Sequence, residues 1–485
     1  MVPVRVLLAL LAAAAAFAVA GCGGSDTASS TASSATLAPA DAGAWISIDT
    51  DIESAQWLRL EGLLARIPGG EQGLADLLGQ AAGKQGLSWK DDIQPALGPE
   101  LVLVLPAGSE NPVLLTQPDD AGKLEKLLAK GDQPGATADV EGWTAAAETK
   151  AALDTYRSAL DKGLLVDVDA FARALEGLPD EALARVYLDG TGLSGAVGRA
   201  AGSAGSLGGL PGLSTGTSPA SVPGTIAMAV SAEETGLRIE GSVKLEGADT
   251  PASFKPTLLA RVPADALVAV TFKGGEQVGR ELGAVAGGED ALKQLQALLG
   301  VTQEDIASLF EGQGAVYVRP GAPIPEITLA LETVDDRPLR TVDRIMLRLT
   351  ASSDTKLTTS QEDGITVKRV ELQPGLALSY ASFDRTLFLT TSAAGIRGFR
   401  SAGEKLTDTA DFARAAEDVS LGEMTSGFAY LDVDGLLPLV QGLAGATGAK
   451  ADLGGTEALE AFDSAALNAS AEGGTIRFAG FVRVG

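Results

Sequence analysis

Apolar side chains at strand and helix spacings divide this chain into short, recognisable elements. Ala44-Trp-Ile-Ser-Ile-Asp49 alternates like a half-buried strand, and so does Val268-Ala-Val-Thr-Phe272. Trp57, Leu60, Leu63, Leu64 and Ile67 fall at helical spacing, and Pro68-Gly69-Gly70 ends the helix they predict. Gln277–Val285 and Asp290–Leu299 read as helices after the later strand. Ser88 and Thr302 each precede an acidic residue three positions on, the pattern of a helix N-cap. Leu101–Leu105 with Val113–Thr116, and Ala315–Val318 with Glu326–Leu331, predict antiparallel hairpins, because Pro and Gly stand in the short loops between them. Helices follow at Ala121–Ala129 and Pro338–Leu349. Two further strands then lead, in each case, into a helix at Lys150–Ala159 or Ala393–Ala402. A strand ends in Tyr187-Leu-Asp189 or Tyr430-Leu-Asp432. Closing hairpins are predicted from Thr225–Ser231 with Leu237–Leu245 and from Ala465–Ser470 with Thr475–Val484. This order predicts an α+β fold with mainly antiparallel sheet and helices packed largely on one side.

The two series of elements carry matching residues in the same order. Leu37-Ala-Pro-Ala-Asp-Ala42 pairs with Arg261-Val-Pro-Ala-Asp-Ala266, and Gly86-Leu-Ser-Trp-Lys-Asp-Asp-Ile93 with Gly300-Val-Thr-Gln-Glu-Asp-Ile306. Asp119-Asp120 matches Asp335-Asp336, Arg157-Ser-Ala159 matches Arg400-Ser-Ala402, and Phe171-Ala-Arg-Ala174 matches Phe412-Ala-Arg-Ala415. Tyr187-Leu-Asp189 and Ser231-Ala-Glu233 recur as Tyr430-Leu-Asp432 and Ser470-Ala-Glu472. The pattern predicts a tandem duplication, with one α+β repeat over residues 37–250 and a second over 251–485. Ser194–Gly224, rich in Gly, Ser and Pro, reads as an insert without regular structure.

The N-terminus has a different pattern. Arg5 precedes the apolar run Val6–Ala18, and Cys22, the only cysteine, follows closely. At about 15 residues the apolar stretch is shorter than the roughly 20 that span hydrocarbon. It therefore reads as an export signal over residues 1–21. Residues 22–36 read as a tether of Gly, Ser, Thr and Ala, reaching on the order of 20 Å.

Composition removes several chemistries. The chain has no histidine, which excludes a Ser-His-Asp triad, a Cys-His dyad and imidazole metal ligands. Its single cysteine leaves no disulfide and no thiolate cluster. A net charge of −26 disfavours nucleic acid and anionic headgroups as partners. No metal site and no cofactor are expected.

Four short motifs read as structural. Gly212-Leu-Ser-Thr-Gly216 spells the hydrolase elbow but stands in the Gly/Ser-rich insert of a chain without histidine. Ser353-Asp-Thr-Lys356 lacks the companion motifs of the penicillin-binding enzymes. Gly79-Gln-Ala-Ala-Gly-Lys84 is one residue short of a phosphate loop, and Gln85 replaces the magnesium-binding hydroxyl. Asp432-Val-Asp-Gly435 and Asp167-Val-Asp169 are fragments of calcium loops without the remaining ligands, and Asp432 suits a helix cap. Trp45, Trp57, Trp89 and Trp143 all fall in the first series, as core or as the lining of an apolar groove.

Val19-Ala-Gly21-Cys22 resembles the bacterial lipobox. That resemblance implies a lipid on Cys22, cleavage between Gly21 and Cys22, and attachment to the outer face of the cytoplasmic membrane, or to the outer membrane if one is present. Together with the repeated Pro-Ala-Asp-Ala openings, the chain resembles a family of exported bacterial proteins of unknown function. The resemblance implies an anchored protein and brings no catalytic residues with it. The sequence thus predicts a non-enzymatic lipoprotein binding a small or lipidic ligand or an envelope protein, at residues the sequence does not identify. A purely structural envelope component is the alternative. A carboxylate-based glycan hydrolase would need a buried carboxylate pair within roughly 5–10 Å.

Overall fold

The structure, a computed structural model, describes residues 34–68, 70, 73–83, 86–109, 111–129, 135–190, 224–246, 251–275, 296–321, 324–351, 355–373, 376–447 and 459–485. It divides into two compact units. Among the described residues, the first comprises those from 34 to 246 together with Glu472–Gly485, and the second those of Pro251–Ala471. No helix among the described residues is long and apolar enough to cross a membrane.

In the first unit β1 (Ala44–Asp49) is followed by helices α1 (Ala55–Leu64), α2 (Gly73–Gly83) and α3 (Gln94–Leu97). Ser88 caps the π-helical turn Trp89–Ile93 before α3, accepting from the Asp91 N–H. Next come β2 (Glu100–Leu105), β3 (Val113–Thr116), α4 (Ala121–Ala129), β4 (Ala136–Val140) and β5 (Trp143–Ala147). Helices α5 (Lys150–Leu160) and α6 (Asp169–Leu175) precede β6 (Ala184–Asp189) and the hairpin β7 (Gly224–Glu233) and β8 (Gly236–Leu245). All pairings are antiparallel, in the order β4-β5-β3-β2-β1-β6-β7-β8.

Helices cover both faces of this sheet, which corrects the expectation of one-sided packing. Leu101–Leu105 and Val113–Leu115 are apolar at successive positions, and successive side chains point to opposite faces. Val102, Val104, Val113 and Leu115 join Trp45, Tyr156, Phe171 and Tyr187 in one core under α5 and α6. Leu101, Leu114 and Ala146 join Ile93 and Leu97 in another under α3. Phe171 centres the larger core, meeting Trp45 and Tyr187 edge-on at centroid distances of 5.6 and 5.0 Å.

The second unit opens with β9 (Val268–Lys273) and, beyond α7 (Gln303–Leu309), the pair β10 (Gln313–Arg319) and β11 (Glu326–Glu332). Thr302 and Asp305 form a reciprocal capping box on α7, as the sequence spacing predicts. After α8 (Arg337–Ala351) the chain forms four strands where the sequence pattern suggests two: β12 (Leu357–Glu362), β13 (Ile365–Gln373), β14 (Leu376–Phe383) and β15 (Thr386–Thr390). Asp363-Gly364 and Asp384-Arg385 make the tight turns, all four residues at positive φ. Helices α9 (Ala393–Arg400) and α10 (Ala410–Asp418), strand β16 (Gly427–Asp432), α11 (Val433–Thr447) and β17 (Phe462–Glu472) complete the unit. Its strand order is β12-β13-β14-β15-β11-β10-β9-β16-β17. Here too both faces are covered. Leu331, Tyr380 and Leu387 pack with Val342 and Met346 of α8. On the opposite face Phe388 and Tyr317 meet Phe399 of α9.

The last strand, β18 (Thr475–Val484), lies in the first unit and pairs antiparallel with β8 along its whole length. The predicted helices Gln277–Val285 and most of Asp290–Leu299, and residues 194–223 of the predicted insert, lie outside the described residues.

Gly98 ends α3 at φ +62°, where a Cβ would stand 1.9 Å from the Gln117 carbonyl oxygen. Gly98→Ala is expected to destabilise the first unit by about 3 kcal/mol or more, since backbone, not a side chain, must move. Tryptophan fluorescence during urea unfolding checks this, because all four tryptophans are in that unit.

Candidate functional site

A buried polar cluster closes one end of the first core. Register places Asp49 opposite Glu100 on β2, and Ser47 opposite Arg185 on β6. Glu100 and Arg185 are only 6% and 7% exposed. Glu100 Oε1 accepts from Ser47 Oγ at 2.6 Å and from Ser34 Oγ at 2.9 Å. Burial lowers the Arg185 pKa, while the charges of Asp180 and Glu100 oppose that shift. Burial pushes the Asp49 carboxyl up to about 7, against hydrogen bonds from the Ser54 hydroxyl and the Asp51 N–H; the charges of Asp51 and Glu100 raise it further. Ser54 also caps α1, and Trp57 Nε1 donates to the Asp49 carbonyl at 2.8 Å.

Two facing carboxylates would suit acid–base chemistry, but Glu100 is engaged by the Ser34 and Ser47 hydroxyls, and the second unit holds a similar polar tie. There register sets Lys273 opposite Gln313, as Asp49 stands opposite Glu100. Gln313 Nε2 donates to Thr257 Oγ1 at 2.6 Å, and its Oε1 accepts from the Leu258 N–H at 3.4 Å. A neutral amide thus ties the incoming segment to the sheet as Glu100 ties Ser34. The cluster is a clamp on the chain entering each sheet, and a charge is not required for it.

The Pro-Ala-Asp-Ala turns that follow are built alike. Ala42 N–H donates to Pro39 O at 3.0 Å and Ala266 N–H to Pro263 O at 3.1 Å. Ala38 O accepts from Leu165 N–H, and Val262 O from Leu406 N–H. The aspartates then differ. Asp265 receives Arg319 through two parallel bonds, Nε–Oδ1 at 2.6 Å and Nη2–Oδ2 at 2.7 Å. Arg319 Nη1 reaches Glu326 at 2.8 Å, and these bonds hold the guanidinium pKa above its ordinary value against burial. Lys405 nearby donates to the Gly398 and Phe399 carbonyls, and burial lowers its pKa. Asp41 makes no hydrogen bond or ion pair among the described residues. It lines a cleft of about 360 Å³ with Pro106, Asp154 and Lys162. A second cleft of about 330 Å³ lies beside the Arg397–Glu362 ion pair in the second unit.

Gly21 and Cys22 lie outside the described residues, as do Gly212-Leu-Ser-Thr-Gly216, Ser353 and Lys84. The stretch Gly79–Gly83 ends α2. Asp432 accepts the Gly435 N–H at 2.8 Å at the start of α11, a capping bond, and burial raises its pKa against that bond. Asp167 ends a short 3-10 turn and Asp169 begins α6. No group of three or more metal-ligating acidic or cysteine side chains occurs among the described residues. Trp45, Trp57 and Trp143 are buried core residues. Sequence reasoning missed Glu100 and Arg319. Each adjoins an apolar strand core, a placement that hints at burial but does not name the partner.

Residues 144–483 match the family described as protein of unknown function (DUF3352), and the chain belongs to that family. No curated protein matches it. The solved structure of TP0453 in crystal form III aligns with 47% of this chain and 77% of its own, at 12% identity and a TM-score of 0.24.

Glu100→Ala is expected to cost about 2–3 kcal/mol and Glu100→Gln less, because the amide keeps an acceptor for the Ser34 and Ser47 hydroxyls while both variants remove the charge facing Arg185. Chemical denaturation of the two variants checks the difference. The folded state holds the Asp49 proton more tightly than the unfolded chain, so this group stabilises fully below pH ~4 and its contribution is lost as pH rises through about 7. Asp49→Asn should therefore flatten the stability profile over that window. It should gain up to about 4 kcal/mol on wild type at pH 8 and match it at pH 4, read by urea unfolding at each pH.

Proposed function

We propose that this protein is an exported, lipid-anchored, non-enzymatic binding protein built from two copies of one α+β unit. The observation that carries the anchor is Val19-Ala-Gly21-Cys22 at the end of a short apolar run. Two acyl chains or more on Cys22 would hold the protein at the membrane, each buried CH₂ contributing about 0.8 kcal/mol. The clamp at Ser34 then passes that attachment to the sheet twelve positions further on.

Duplication is supported by the two strand orders. β3-β2-β1-β6-β7 in the first unit corresponds to β11-β10-β9-β16-β17 in the second, with β12–β15 in place of β4 and β5. The recurring turn bonds and the Glu100/Gln313 clamps support it further. Binding is favoured over catalysis because the buried polar groups serve the fold: Glu100 and Gln313 hold segments, and Asp432 caps a helix. The bound species is a small or lipidic ligand or an envelope protein.

Cells grown with radiolabelled palmitate should incorporate the label into the parent protein and not into Cys22→Ala, and the variant should leave the membrane fraction. Equal membrane retention of the variant would refute the anchor. Native mass spectrometry of the detergent-extracted protein is expected to show added mass from a bound ligand or partner.

A further inference from the structure

We propose that the cleft beside Asp41 binds the guanidinium of an arginine side chain from a peptide or protein partner. The second unit contains the interaction already made. Register sets Leu105 opposite Ala44 in the first unit and Val318 opposite Val268 in the second. The next residue is therefore Pro106 in one unit and Arg319 in the other. Asp41 and Asp265 stand three residues before Ala44 and Val268, each on a Pro-Ala-Asp-Ala turn with the same backbone bond. In the second unit the intramolecular guanidinium occupies the space and takes both oxygens of Asp265. In the first unit Pro106 supplies no cation, the carboxylate of Asp41 has no partner among the described residues, and a space of about 360 Å³ remains.

The surrounding helix differs at one position. Gly398 of α9 lies against Arg319, and a Cβ there would stand 3.0 Å from Nη1. Thr155, six residues beyond the Thr149 cap as Gly398 is beyond Ser392, lines the cleft with its hydroxyl turned to the Ala151 carbonyl, and its Cβ requires an incoming guanidinium to sit a few tenths of an ångström from the place Arg319 takes. Asp154 at the rim adds a second carboxylate, shared with Lys150 at 2.7 Å. Lys162 at the rim tempers the field but does not forbid the cation, since Lys405 coexists with Arg319 in the second unit. Planar bidentate recognition selects guanidinium over ammonium, and the net charge of −26 favours approach of a cationic partner.

The inference rests on the duplication, and two measurements on the full chain in neutral detergent separate them. Pro106→Arg should raise the unfolding midpoint read by tryptophan fluorescence, and the gain should vanish in Pro106→Arg/Asp41→Asn. No coupling between the two positions would sink the structural correspondence and the site with it. At low salt, ligand-observed NMR should detect saturable binding of N-acetyl-arginine amide, about tenfold weaker in Asp41→Asn and absent in Pro106→Arg. The lysine and citrulline amides should bind at least tenfold more weakly. Coupling without arginine binding, or binding indifferent to Asp41, would leave the duplication standing and overturn the site. Binding of free arginine but not its blocked amide would overturn the peptide assignment.

Discussion

The central strands of each sheet are apolar on both faces, and that constraint organises the molecule. Leu101–Leu105 and Val113–Leu115 cannot leave either face to water, so helices must pack above and below. The cost of placing polar groups in such a layer decides where they stand. Glu100, Gln313, Thr116 and Asn468 are buried only where hydroxyls, N–H groups or carbonyls meet them. Exposed polar side chains such as Asp41 stand instead on the turns beyond the strand ends.

Much of the element order was legible because local signals agreed with it. The apolar alternation of Ala44–Asp49, the Thr302/Asp305 capping pair and the helix at Ala121–Ala129 all appear where spacing places them. The four-stranded segment β12–β15 was harder to read. Asp363-Gly364 is an ordinary turn signal, but Asp384-Arg385 puts an arginine at φ +57°, which few sequence rules anticipate. One-sided packing was expected from the count of hairpins, whereas the uninterrupted apolar run of β2 carried the better clue. The polar sites were the least legible. That Glu100 meets Ser34, or Asp265 meets Arg319, depends on strand register and turn geometry brought together from distant positions.

The contrast between Asp41 and Asp265 shows how one backbone turn can serve two ends. Closed by an internal arginine, it fastens a strand end to the core edge. Left open by a proline, it offers a carboxylate to solvent on a turn closed by the same backbone bond. Membership of a family of unknown function leaves the chemistry to be argued from such local differences.

The position of β18 has a consequence for the order of events in the cell. The first sheet receives a partner for β8 from Thr475–Val484, which follow the second unit in the chain. Until they arrive, β8 is a bare edge with a full row of unsatisfied amides and carbonyls. The earlier-made unit thus waits for the later one to be synthesised, and a chain interrupted before Thr475 would carry an adhesive border at β8.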